Sequence, residues 1–311
     1  MMLNEKNDLT NRLGEVIDLK NIYPDEPLSK HTSFKIGGPA AFFAVCENVT
    51  ELRDVINVCK EAKVKWFLLG NGTNVLAPDE GYDGLVIKLG GKFNELSIME
   101  DINDGTGLIT AGAGVSLAQL CVYALKKGFT GLEFAGGIPG TVGGGVFMNA
   151  GAYGGEMADS IVSVKALTEA GEVVEYKKDE LDFGYRHSRF TDDKGIVLEA
   201  SFRLKVYPRI PIRTMMEEYK RKRNEKQPLD LPSAGSVFKR PEGSFAGKLI
   251  EDAGLKGYTI GGAAVSEKHA GFIVNVGNAT ANDVEQLIEY VQKRVFDESN
   301  VRLEPEIRII K

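Results

Sequence analysis

The chain has 311 residues, 43% hydrophobic and 26% charged, with a formal net charge of −6. That length allows two or three compact units with a sizeable core. The acid excess argues against a general nucleic-acid binder, which presents a basic surface, and the apolar runs are too short and interrupted for a transmembrane helix. The N-terminus is polar and lacks the apolar core of a secretion signal. Cys46, Cys59 and Cys121 have no CxxC spacing and lie among apolar residues, so they read as buried, reduced thiols of a cytoplasmic protein.

In chain order, residues 9–17 read as a short helix, and SFKIGGPAAFFAV (33–45) ends in a strand. Residues 50–61 carry Leu52, Val55, Ile56 and Cys59 at helical spacing, with Asn48 or Thr50 as cap. KWFLLG (65–70) reads as a buried strand running into the loop NGTN, and GLVIKL (84–89) and GLITAGAG (107–114) as further strands. Residues 116–127 form a helix with Leu117, Leu120, Cys121 and Leu125 on one face. Beyond the glycine-rich stretch 131–155, SIVSVKAL (160–167) and GEVVEY (171–176) form a hairpin about TEAG, and GIVLEASFRLKV (195–206) is a long alternating strand.

From 209 to 225 the pattern becomes a charged helix, whose basic cluster at 220–223 is either a solvated face or an anion-facing edge. After the bend QPLDLPSAG, SVFKRP enters a second unit. AGKLIEDAGL (246–255) is a short helix stopped at Gly254. GAAV and GFIVNV are strands, and 280–297 is an amphipathic helix with Val284, Leu287, Ile288, Val291 and Val295 on one face. EPEIRII (304–310) closes the chain as a strand.

Two glycine-rich loops stand out, LGNGTNV (69–75) and GGIPGTVGGG (136–145), each beside an apolar segment. Glycine admits positive φ and lets a ligand approach backbone N–H groups closely. A diphosphate needs many donors, little bulk and a helix N-terminus behind them. PGTVGGGVFMNAG supplies such a helix, with Pro139 just before its first turn. Neither loop matches GxGxxG or GxxxxGK[ST], so the loops by themselves leave tight turns and a dinucleotide site both open.

The motifs SFKIGGPA, LGNGTNVL, GLEFAGGIPGTVGGGVFMNAGAYG, YRHSRF, SAGSVFKRP, AGKLIEDAGLKG, KHAGFIVN and EPEIRII occur in one order from about residue 28 to the end. This set resembles the UDP-N-acetylenolpyruvoylglucosamine reductase (MurB) family. The resemblance implies an α+β fold. Its parts are a lead-in at 1–27, a two-lobed FAD-binding domain of the vanillyl-alcohol-oxidase (PCMH) type at 28–206, and an α+β substrate-binding domain at 207–311. It implies a cytoplasmic enzyme that takes hydride from NADPH onto non-covalent FAD. Flavin N5 then passes the hydride to UDP-N-acetylglucosamine enolpyruvate, giving UDP-N-acetylmuramate for peptidoglycan. No metal, nucleic acid, membrane or obligate protein partner is implied. A longer class of the family inserts a loop whose tyrosine covers the substrate; nothing of the kind lies between 206 and 236, so no lid tyrosine is assigned.

By the same resemblance, FAD is held by Gly70, Asn71, Gly72, Thr73, Asn74, Gly136, Gly137, Ile138, Pro139, Gly140, Thr141, Gly143, Gly144 and Ala152. Arg186 in YRHSR holds the substrate carboxylate with its fixed, permanently charged fork, and its neighbour Arg189 is not chosen. Ser236 in AGSVF gives the proton, which a serine can do only to a very basic carbanion. Glu306 stabilises the charge arrangement, and Glu304 is expected to point to the opposite edge. Tyr185, Lys226, Arg240 and His269 are candidate substrate contacts. These positions meet only if the second domain folds back over the first.

Overall fold

The computed structural model describes residues 3–101 and 104–311. Helix α1 (Leu3–Gly14) begins and ends earlier than 9–17. Then β1 (Ile22–Pro27), β2 (Pro39–Cys46), α2 (Val49–Ala62), β3 (Trp66–Leu68), β4 (Val75–Leu76) and β5 (Tyr82–Leu89) build the first lobe. Its sheet runs β1–β2–β5–β3, with β1 antiparallel to β2 and the other pairs parallel. Residues 1–27 are thus more than a lead-in, because β1 is an edge strand of this sheet. Pro24 and Pro27 suit an edge, where a missing N–H is harmless. Asn48 caps α2, its side-chain oxygen accepting the Glu51 N–H at 3.1 Å.

The second lobe contains β6 (Leu96–Asp101), β7 (Thr106–Gly112), α3 (Leu117–Lys127), β8 (Phe129–Thr130) and α4 (Val142–Phe147). It continues through a small hairpin of β9 (Gly151–Ala152) and β10 (Gly155–Glu156), then α5 (Met157–Ser160), β11 (Ile161–Leu167), β12 (Val173–Lys177) and β13 (Ile196–Val206). Its antiparallel sheet runs β12–β11–β13–β7–β6, with β8 also paired to β13. The sequence reading missed β6. Its apolar Leu96 and Ile98 are only partly buried, and Met99, on the other face of the strand, is 74% exposed. Both lobes share one core, in which Phe42 and Phe202 are fully buried.

Helix α6 (Arg209–Lys226) packs on the turn Glu133–Gly137 and leads to the third unit. There β14 (Ser233–Ser236), α7 (Ala246–Asp252), β15 (Thr259–Ile260), β16 (Ala263–Val265), β17 (Phe272–Asn275) and α8 (Ala281–Ser299) follow, and β18 (Arg308–Ile309) ends the chain. The sheet order is β14–β17–β16–β15. The apolar face expected on α8 is buried, and Phe34, Ile36 and Leu76 of the first lobe complete the same core. Asp79 of the first lobe accepts the N–H groups of Ala281 at 2.7 Å and Asn282 at 3.1 Å, adding a second cap to α8 beside Thr280.

The terminal strand is split between two partners. Lys239 N–H donates to Glu304 O at 2.8 Å and Glu306 N–H to Val237 O at 2.7 Å, after which β18 pairs in parallel with β4 of the first lobe. Glu304 is exposed against Lys239 while Glu306 turns inward. Residues two apart on an unbroken strand share a face. The opposite orientations follow from the change of partner around Pro305, which has no N–H to continue a ladder.

Candidate active site

A cavity of about 1120 Å³ lies among the two lobes and the third unit. It is lined by the loop Gly70, Asn71, Gly72, Thr73 and Asn74, and across from it by Ile138, Pro139, Gly140, Thr141, Gly143 and Gly144. Ala152 of β9 also lines it. The two loops touch: a Cβ built on Gly70 would stand 2.9 Å from Thr141 Oγ1. Gly72 takes φ +62°, and a Cβ there would fall 2.0 Å from the His31 carbonyl oxygen, so only glycine fits. Trp66, Phe67 and Leu68 of β3 are half-buried rather than buried, because they also face this cavity.

The backbone N–H groups of Asn71, Gly72, Thr73, Gly140 and Thr141 have no acceptor among the described residues. These are the donors a diphosphate could take. Others expected to serve are already engaged. Gly143 N–H donates to Ala113 O at 2.9 Å, and Gly144 N–H to Thr141 Oγ1 at 3.2 Å as the cap of α4. The Asn74 side-chain amide donates to Glu306 O at 3.2 Å, tying the loop to the terminal strand. Gly136 and Gly137 do not line the cavity. They sit in the turn Glu133–Gly137, where added Cβ atoms would come 3.2 Å from Met216 Cε and 3.2 Å from Arg223 Cδ. Their role is close packing against α6.

Arg186, Ser236 and Glu306 all line this one cavity. Arg186 Nε donates to Glu306 Oε1 at 2.7 Å, and Nη2 reaches Gly151 O at 3.4 Å. The pair is largely buried, with side chains 22% and 13% exposed. Burial pushes the Glu306 carboxyl above its ordinary value, opposed by the Arg186 charge and hydrogen bond. Ser236 ends β14 after a register shift at Gly235, whose φ of +80° turns the strand.

The outer candidates lie around this centre and none lines the cavity. Tyr185 places its ring 5.1 Å from the Arg186 guanidinium and accepts the Arg240 N–H at 3.1 Å, while the Arg240 guanidinium stacks on Phe245. Lys226 is exposed at the end of α6. His269 is half-buried; its Nδ1 accepts the Gly271 N–H at 3.1 Å, and burial pushes its pKa down. Arg189 is engaged elsewhere, stacked on Tyr176 and paired with Asp193. Neither His31, His187 nor His269 reaches the cavity, which fits a cofactor held without a histidine link.

The sequence reading missed Arg223, Gln227 and Arg308, which line the cavity. Of the basic cluster, Arg221 and Lys222 pair with Glu225 and Glu218, while Arg223 turns inward. The signal was present: Met216, Tyr219 and Arg223 recur at i, i+3 and i+7, one face of a helix. Arg223 and Arg308 have no carboxylate partner among the described residues, and burial lowers the pKa of both. Unpaired, partly desolvated guanidinium groups favour an anionic ligand. Free amides, glycines where a Cβ would clash, an apolar wall and two unpaired cations together fit a dinucleotide such as FAD. The three cysteines are buried free thiols, with pKa pushed up to about 12 by burial.

A family model for an FAD binding domain matches residues 40–177, and one for the UDP-N-acetylenolpyruvoylglucosamine reductase C-terminal domain matches 227–310. The UDP-N-acetylenolpyruvoylglucosamine reductase of Caldanaerobacter subterraneus is 49% identical over 97% of this chain and 98% of its own. That of Agathobacter rectalis is 49% identical over 92% of this chain and 93% of its own. The crystal structure of the Thermus caldophilus reductase superposes with a TM-score of 0.77 at 36% identity, covering 93% of this chain and 98% of the other. p-Cresol methylhydroxylase, at 16% identity and a TM-score of 0.51, shares the fold over 67% of this chain and 45% of its own. No helix among the described residues is long and apolar enough to cross a membrane.

Proposed function

The chain belongs to the UDP-N-acetylenolpyruvoylglucosamine reductase family, and on that premise we propose that it reduces UDP-N-acetylglucosamine enolpyruvate to UDP-N-acetylmuramate for peptidoglycan synthesis. NADPH is the reductant and FAD the non-covalent cofactor. The observation that carries this reading is the meeting of Arg186, Glu306 and Ser236 in one cavity walled by the two glycine loops. The N–H groups of Asn71, Gly72, Thr73, Gly140 and Thr141 hold the FAD diphosphate. When bound, the flavin supplies hydride to the alkene carbon distal to the substrate carboxylate.

The remaining chemistry belongs to the chain. Adding hydride to a vinyl ether leaves charge on the carbon that bears the carboxylate. Arg186 holds that carboxylate: its Nε is occupied by Glu306 and one N–H of Nη2 by Gly151 O, which leaves Nη1 and the second N–H of Nη2 for the ligand. Glu306 keeps the guanidinium in this orientation. Ser236 delivers the proton to the charged carbon, a step open to so weak an acid only because the acceptor is strongly basic. Arg308, unpaired in the cavity wall, offsets the charge brought by the substrate.

In the Ser236→Ala holoenzyme, reduction of FAD by NADPH should be unchanged while substrate-dependent reoxidation falls about 10²- to 10⁴-fold, the usual contribution of a positioned proton donor. Stopped-flow flavin absorbance separates the two half-reactions. Normal reoxidation would overturn the assignment of Ser236, and a purified protein that takes up no FAD would overturn the enzyme reading itself.

A further inference from the structure

Arg186 occupies a left-handed φ of +54° at the tip of a two-residue loop. Gly184 and His187 close that loop by exchanging backbone hydrogen bonds of 3.1 and 3.2 Å. A non-glycine residue keeps such a conformation where its surroundings enforce it. Here both feet of the loop are held by the end of the glycine-rich stretch. Asn149 donates through Nδ2 to Gly184 O at 2.9 Å, and Ser188 donates through Oγ to Phe147 O at 2.8 Å. Asn149 and Ser188 are both fully buried. Asn149 Oδ1 accepts the Ala158 N–H at 3.0 Å, so both ends of its amide are engaged and its orientation is set. The adjoining Phe147, Ala150, Gly151 and Ala152 line the cavity.

We infer that Asn149 is a positioning residue for Arg186: by anchoring Gly184 it sets where the guanidinium meets the substrate carboxylate. The inference rests on the carboxylate-holding role given to Arg186 above. An amide is required because one end faces a carbonyl and the other an N–H. Asp at this position tolerates positive φ and still accepts from Ala158, but it places a second oxygen against Gly184 O where a donor is needed.

The test is a cycle of holoenzymes: wild type, Asn149→Asp, Arg186→Ala and the double variant. Substrate affinity is measured by calorimetry and reoxidation by stopped flow. Asn149→Asp should keep its FAD and its rate of reduction by NADPH, while substrate binding weakens and reoxidation slows about 10- to 100-fold. In the Arg186→Ala background the same change should add nothing, because both act through one guanidinium. Losses that multiply, or wild-type reoxidation in Asn149→Asp, would overturn the inference. Wild-type reoxidation in Arg186→Ala would overturn the role of Arg186 instead. Should Asn149→Asp fail to fold, Ser188→Ala at the other foot goes through the same cycle under the same criteria.

Discussion

Glu306 shows how much one residue's behaviour depends on its surroundings. Burial favours its neutral acid more than Arg186 favours its carboxylate, so it titrates above the ordinary 4.5. The folded chain therefore keeps a proton that the unfolded chain has already released. Ionising Glu306 weighs against folding as pH climbs from 4.5 through the raised value, and below 4.5 the penalty is absent. Glu306→Gln removes that penalty, while the cost of leaving Arg186 unpaired stays constant because a guanidinium remains charged. The stability of Glu306→Gln relative to wild type should thus rise as pH climbs from 4.5 through the raised value, read from denaturant midpoints; a relative fall would show that the Arg186 charge dominates. The motifs YRHSR, AGSVF and EPEIR pointed to Arg186, Ser236 and Glu306. They did not show that Asn74 binds the Glu306 carbonyl, or that Gly136 and Gly137 serve α6.

Among elements, the loops of glycine were visible in the sequence, but the need for each glycine was not. Gly72 and Gly235 both have positive φ, at +62° and +80°. A Cβ on Gly72 would strike the backbone of His31, whereas one on Gly235 meets open space. Gly235→Ala should therefore cost about 1–2 kcal/mol from left-handed backbone alone. Gly72→Ala should cost clearly more and also weaken FAD binding, since its loop must shift. Thermal unfolding and flavin-fluorescence titration check both; equal costs would count against the clash. The β3 run WFL is apolar for one reason more than its pattern suggested: it packs against the core and also faces a ligand cavity. Periodicity reports that a face is covered and is silent on what covers it.

At the scale of the whole molecule, the third unit is fastened to the first lobe by β4–β18 pairing, by Ser33 Oγ on Ser233 O at 2.6 Å and by Asp79 at the start of α8. Asp79→Ala removes two charge-assisted bonds to N–H groups at a helix start and should cost about 1–2 kcal/mol. An unchanged unfolding midpoint would show that Thr280 suffices as the cap. Helical spacing, caps and turn residues are local, so most elements could be read along the chain, whereas Arg186, Ser236 and Glu306 were singled out only by the family resemblance of their motifs. Which side chains meet could not be read this way. Arg186 and Glu306 are 120 residues apart, and Asn74 and Glu306 are 232 apart. The change of partner at Pro305 likewise exists only once the units have packed. Such contacts depend on burial and docking between distant segments, and no local pattern encodes them.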